Sequence, residues 1–228
     1  PQNVSTELNR ERLLYQDATM QRELMEQFTR IQQSPTWHDE FAAAFAMVQN
    51  VQAQGGGHCV LQGSGGVGKT HFAKALTMYL RAQGQIVRIA APTALAATLY
   101  DGGMTIHDLF KLNVVKERHE EYTSFIHKNP QRKELLRECN VIILDEAFNM
   151  NINNYAAAIE ALQDICGTNH ETAHKTICFI GDERQIAPIV MDDSTERGTF
   201  EASILSLPNW PTIPKVRLTK PFRNKDDP

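Results

Sequence analysis

No apolar run in this sequence approaches the roughly 20 residues that a membrane-crossing helix needs, so no bilayer span is predicted. Cysteine is scarce. Cys59, Cys139, Cys166 and Cys178 stand far apart with no C-x-x-C pair, which argues against a disulfide framework and for a reducing compartment. Basic excess is lacking too: 23 Lys and Arg face 27 Asp and Glu, for a formal net charge of −4. Bulk electrostatics therefore single out no nucleic-acid partner, and any such reading must rest on local residues. The opening Pro-Gln-Asn-Val has no initiator Met and no signal-peptide pattern, and the sequence stops at Asp226-Asp227-Pro228 without a closing element. The expectation is a piece of a longer intracellular protein, nuclear if its source is eukaryotic.

What is present fits a folded domain. Hydrophobic residues make up 42% and charged residues 22% of the 228 positions, enough for a sizeable core. Residues 7–33 place Leu14, Ala18, Leu24, Phe28 and Ile31 near helical spacing, and Ser34-Pro35 ends the pattern. From residue 37 the chain alternates. Helices are predicted over 37–51 and 70–83, and short apolar strands over 58–62, 86–91, 141–144, 176–180 and 216–218. Such strands separated by helices imply an α/β fold, a mostly parallel sheet covered on both faces and hence three layers. We expect a helical N-terminal extension over 1–36 and one α/β domain over 37–228.

Gly63-Ser64-Gly65-Gly66-Val67-Gly68-Lys69-Thr70 satisfies G-x-x-x-x-G-K-[ST] at every position, after a predicted strand and before a predicted helix. Glycines let successive backbone N–H groups curl round a β-phosphate, and the helix start adds its positive dipole end. Lys69 would reach the β- and γ-phosphates of ATP, and the Thr70 hydroxyl would ligate Mg²⁺. The other half of the site is Val141-Ile142-Ile143-Leu144-Asp145-Glu146, an apolar strand that delivers two carboxylates to the edge where open α/β sheets bind ligands. Asp145 would hold Mg²⁺ through a water, and Glu146 would orient and polarise the attacking water.

Two other patterns stand out. Cys166, His170, His174 and Cys178 recur at four-residue spacing like a zinc set, but four ligands on one face need one continuous helix. Gly167 interrupts it and Cys178 falls in a predicted strand, so the spacing is read as incidental. Residues 113–137 are charged and mixed in sign, the usual pattern of a solvated face.

The blocks Ala91-Pro92-Thr93-Ala94-Leu95-Ala96-Ala97 and Gly102-Gly103-Met104-Thr105-Ile106-His107-Asp108-Leu109-Phe110-Lys111 resemble one group of P-loop proteins. These are the superfamily 1B DNA helicases of the petite-integration-frequency and RecD branches, and most nearly the helicase domains of Helitron transposons. Gly181-Asp182-Glu183-Arg184-Gln185-Ile186-Ala187-Pro188-Ile189-Val190 is similar to their third motif, and Leu218 through Phe222-Arg223 to their fourth. The blocks follow the family's order over residues 37–224.

The resemblance implies a RecA-like domain, the first of two motor domains, with the second one a partner beyond this chain. It implies that Thr93, Thr105 and His107 contact single-stranded DNA, that Gln185 senses the γ-phosphate and that Arg223 places a positive charge on it. It implies ATP-driven translocation on single strands and duplex unwinding, 5′ to 3′, with a wedge near 113–137 that Lys128, Arg132, Lys133 and Arg137 could serve. Two blocks depart from the pattern. Phe41 stands where the family has an adenine-reading Gln, leaving Phe41 or Trp37 to stack on the base, and Ala147-Phe148-Asn149-Met150 replaces Ser-Met or Pro-Met. The rival readings are a nucleotide-binding scaffold without helicase activity and an ATPase that acts on a partner other than DNA.

Overall fold

Continuous apolar runs bounded by glycine or acids form strands buried on both faces, while amphipathic runs between them form the covering helices. The computed structural model describes residues 6–114, 121–185 and 196–222. In chain order these form α1 (Thr6–Tyr15), α2 (Ala18–Gln32), α3 (Asp39–Ala53), β1 (Gly57–Gly63), α4 (Lys69–Ala82) and β2 (Val87–Ala91). Then come α5 (Ala94–Ala97), β3 (Met104–Thr105), α6 (Ile106–Phe110), α7 (Pro130–Glu138), β4 (Val141–Leu144) and α8 (Ile152–Cys166). β5 (Thr176–Gly181), α9 (Glu196–Glu201) and β6 (Lys215–Leu218) follow.

Among the described residues the strands make one sheet of six in the order β3-β2-β4-β5-β1-β6. Every strand pairing in it is parallel. Alternation along the strands sorts their side chains into two apolar clusters. Val60, Ile142, Leu144, Ile177 and Phe179 face the cluster that holds Phe110, Leu135 and Leu162. Leu61, Val141, Ile143, Cys178 and Ile180 face the other, with Phe41, Phe45, Phe72 and Leu76. That is the three-layer arrangement, a sheet between two helical layers. Fully buried side chains such as Phe72 and Leu76 each contribute roughly 1.5–3 kcal/mol by leaving water, so α4 is anchored firmly behind the loop that precedes it.

The helical stretch near the N-terminus is two helices rather than one. Asp17 ends it, because its Oδ1 accepts from the backbone N–H groups of Thr19 and Met20 at 2.9 and 3.0 Å and caps α2. Phe28 of α2 packs on Phe45 and Tyr79 at centroid distances of 5.3 and 5.0 Å, which seats α2 on α3 and α4.

Candidate nucleotide and nucleic-acid site

Parallel strands point their carboxyl ends to one edge, and the quoted motifs lie there. β1 runs into the phosphate loop, β4 into Asp145-Glu146, β5 into Gly181-Asp182, β2 into Thr93 and β3 into Thr105. Within the loop, Gly68 (φ 88°) is left-handed and lies against two rings: a Cβ there would come within 2.9 Å of both Phe41 and Phe222. Only glycine meets both demands. Lys69 Nζ donates to the Gly63 and Ser64 carbonyls at 2.7 and 2.8 Å, which folds the ammonium over the loop. Burial lowers the Lys69 pKa from its ordinary value, against the pull of Asp182, Asp145 and Glu146. A cavity of about 480 Å³ opens over the loop, lined by Lys69, Thr70, Asp145, Glu146, Asp182 and Gln185 among others.

The geometry around the two acids separates their roles. Asp145 is 4% exposed, and both of its oxygens are engaged. Oδ1 accepts from the Glu146 N–H at 2.9 Å and Oδ2 from the Tyr100 hydroxyl at 2.6 Å. Burial and the Asp145 charge push the Tyr100 pKa up, so the phenol stays protonated and donates. Glu146 is exposed, holds a left-handed φ of 51°, a strained conformation, and lines the same cavity. Gln185 lies past the end of β5 with its backbone N–H on the Asp182 carbonyl at 2.9 Å, at the rim of the same cavity.

Neither Phe41 nor Trp37 lines the cavity over the phosphate loop. Phe41 is fully buried beneath the phosphate loop, and Trp37 packs edge-on against Phe28, Phe41 and Phe45. Their block has a mechanical task instead: Glu40 accepts from the Thr219 and Lys220 N–H groups at 2.8 and 3.3 Å and from the Thr219 hydroxyl, which ties α3 to the segment after β6. Burial alone would raise the Glu40 pKa, but these hydrogen bonds outweigh it and the net shift is downward. Three rings line the cavity: Phe148, and His71 and Phe222, whose centroids are 4.5 Å apart. Phe148, in the departing block, is 1% exposed and packs where a Gly181 Cβ would sit, 2.4 Å from its ring, so that departure fills the core.

On the β2–β3 side, Thr93 and Thr105 are helix N-caps. Thr93 Oγ1 accepts from the Ala96 N–H at 3.2 Å, and Thr105 Oγ1 from the Asp108 N–H at 3.1 Å. Each hydroxyl still has its own proton to donate to a phosphate. His107 is partly buried near Tyr122, and burial lowers its pKa. Among the basic residues assigned to a wedge, Arg132 is 4% exposed and bound to Glu7, so it cannot meet a duplex. Arg137 Nε donates to the Ile165 carbonyl at 3.3 Å. Arg223, residues 186–190 and residues 116–118 lie outside the described residues. His170 Nδ1 accepts from the Thr172 and His174 N–H groups, and Cys178 is buried in β5.

Tyr100, His71, Asp182 and Phe222 line or support the cavity and were not singled out as site residues. Asp182 carried a signal: like Asp145, it ends an apolar strand. Phe222 carried one as well, in the block similar to the family's fourth motif, whereas Tyr100 and His71 carried none, since their place depends on partners distant in sequence.

Phosphate loop, paired acids and a parallel sheet between helical layers define a RecA-like P-loop NTPase domain. The family model for PIF1-like helicases matches residues 37–228, and the chain belongs to that family. Among solved structures it is similar to Bacteroides Pif1 bound to single-stranded DNA, at 22% identity and a TM-score of 0.64 over 82% of this chain and 43% of that one. Candida albicans Pif1 gives 23% and 0.64, over 83% and 41%. A Pif1 structure concerned with unwinding of forked duplex DNA by two coordinating helicases gives 22% and 0.66, over 83% and 45%. The chain thus spans less than half the length of these relatives. No curated protein sequence matches it.

Proposed function

We propose that this chain is the nucleotide-binding motor domain of an ATP-dependent DNA helicase, which hydrolyses ATP to move along single-stranded DNA, 5′ to 3′, and open duplexes. The observation that carries the proposal is one shared edge: phosphate loop, Asp145-Glu146 and Asp182 line a single cavity, while Thr93 follows β2, Thr105 ends β3 and His107 sits in the first turn of α6 at the same edge of the sheet. A second RecA-like domain, facing this edge, is the partner that would complete the site.

The donor set fits a hard divalent cation. Thr70 offers a hydroxyl and Asp145 and Asp182 offer carboxylates in one cavity, the oxygen ligands Mg²⁺ prefers. Thr70 would hold the ion directly and Asp145 through a water. When bound, Mg²⁺ would neutralise phosphate charge. The remaining work belongs to side chains. Lys69 swings from its two carbonyls to the β- and γ-phosphates, and Glu146, exposed at the mouth, takes the proton of the attacking water and aims it. Gln185 at the rim reports γ-phosphate loss, and Arg223 supplies a fixed positive charge to the γ-phosphate.

This domain alone should hydrolyse ATP slowly, so the test is phosphate release with and without oligo-dT on the parent protein that carries the second RecA-like domain, and on its Glu146→Gln variant. Hydrolysis that rises with oligo-dT and is lost in the variant supports the proposal. ATP binding with no hydrolysis under either condition favours the scaffold, and hydrolysis indifferent to oligo-dT favours an ATPase with another partner.

A further inference from the structure

Helix α1 lies outside the stretch that matches the family, yet it is built into the body. Leu8 is fully buried in the cluster that also holds Ile106, Leu109 and Phe110. Two acids of α1 meet buried arginines, and each arginine reaches onward to the segment that carries Thr105 and His107. Glu11 Oε1 accepts from Arg88 Nη1 at 2.5 Å, and Arg88 Nη2 donates to the Gly102 carbonyl at 2.9 Å. Glu7 accepts from Arg132 Nε and Nη2 at 2.6 and 3.2 Å, and Arg132 Nη1 donates to the Asp108 carbonyl at 2.7 Å. The two carbonyls bracket residues 103–107, one on each side.

The electrostatics make α1 necessary to this arrangement. The Arg88 and Arg132 side chains are each 5% exposed. A buried guanidinium needs a carboxylate, since carbonyl dipoles alone do not repay its lost hydration. Removing Glu7 or Glu11 leaves these cations to seek water or another acid, and the Gly102 and Asp108 carbonyls lose their donors. Arg81 adds a third tie, with its guanidinium 4.2 Å over the Tyr15 ring and Nη2 3.9 Å from Glu11 Oε2. Glu7 and Glu11 would themselves repel phosphate, so their effect on nucleic acid is positional.

We propose that α1 positions the nucleic-acid segment over 102–110 through the relays Glu11–Arg88–Gly102 and Glu7–Arg132–Asp108. The proposal rests on the reading of Thr105 and His107 as nucleic-acid contacts. Its test uses the full chain with Glu7→Gln and Glu11→Gln. Amide hydrogen exchange over 102–110 is one readout, and anisotropy of a fluorescein-labelled oligo-dT is the other, with ATP–Mg²⁺ binding as a control of folding. Glu7 is 34% exposed, so Glu7→Gln should fold even if Glu11→Gln, which strands Arg88, does not. We expect exchange over 102–110 to quicken about tenfold in Glu7→Gln and oligo-dT affinity to fall roughly threefold to tenfold, with nucleotide binding unchanged. Unchanged exchange over 102–110 in Glu7→Gln overturns the proposal whatever the DNA does. Quickened exchange with unaltered oligo-dT affinity also overturns it, since α1 would then hold the segment without serving nucleic acid. Quickened exchange in a protein whose unsubstituted form binds no oligo-dT sinks the DNA reading and leaves α1 as the positioner of this segment alone.

Discussion

At the ends of β1 and β4 the carboxyl edge offers two charged groups open to the cavity, Lys69 and Glu146, whereas over β2 and β3 the same edge is made of groups already employed in the fold. The phosphate loop turns through left-handed glycines that only a close ligand or a ring beneath would demand, and Glu146 keeps a strained φ while exposed. Thr93 and Thr105, by contrast, spend an acceptor on capping a helix, and His107 is half-sheltered. The difference is in how far a function can be separated from the fold. A nucleotide site tolerates substitution badly in activity and well in stability; the β2–β3 side couples the two.

The largest effect expected on the nucleotide side is from Glu146→Gln, which keeps the fold and removes the general base. Hydrolysis should fall by about 10² to 10⁴, with ATP binding retained, as read by phosphate release and calorimetry. An unaltered rate would show that another group aims the water. Next is Lys69→Ala. Charge-assisted hydrogen bonds contribute roughly 1.5–3 kcal/mol, so ATP–Mg²⁺ binding should weaken about 10- to 100-fold by calorimetry. Equal binding would mean that the loop amides suffice.

Tyr100 sharpens the comparison, because here the two sides touch. It belongs to the β2–β3 connection yet donates to Asp145 across 45 residues of sequence. Its hydroxyl withdraws density from the carboxylate that would face the cation. Tyr100→Phe keeps the ring and frees Oδ2, so the Mg²⁺ concentration for half-maximal ATP binding should drop, by about threefold. A requirement that stays the same would assign Tyr100 to packing alone.

Thr105 tests the β2–β3 side. Thr105→Ala removes the cap of α6 and should cost about 1 kcal/mol, near 2–4 °C in Tm by calorimetry. Thr105→Asp keeps an acceptor for the Asp108 N–H but sets a negative charge where a phosphate would lie. It should retain the Tm and lose oligo-dT affinity roughly tenfold. If both variants bind oligo-dT as the unsubstituted chain does, the hydroxyl is a cap and no more.

Motifs of adjacent residues were legible in the sequence because their chemistry forces consecutive identities, and the buried strands because burial on both faces forces continuous apolar runs. What was not legible depends on partners far apart. Phe41 reads as an aromatic near a base site, but the rings of Trp37, Phe72 and Phe222 enclose it. Asp17 breaks a helix whose apolar spacing continues through it, because a cap acts through two backbone amides that spacing does not register. Arg132 reads as one of a run of surface charges, and its acid partner Glu7 lies 125 residues away. β3, only two residues long, is too short for any periodicity.

The smallest effect concerns His107 and decides what it touches. Burial holds its pKa below the ordinary histidine value of 6.5, so at pH 7 the ring is neutral. Because the unfolded chain takes up the proton first, this group's contribution to stability is present above 6.5 and is lost as pH falls from there through the lower folded value. A phosphate against the ring would favour the charged form in the complex, and oligo-dT affinity should then rise as pH falls from 7.5 to 6.0, by at most about threefold. A base stacked on the ring gives no such rise, since stacking asks for no proton. Anisotropy at the two pH values, with His107→Asn alongside, separates these cases. A rise that the variant lacks assigns His107 to phosphate, a flat profile with weaker binding in the variant assigns it to a base, and identical behaviour of the two proteins removes it from the interface.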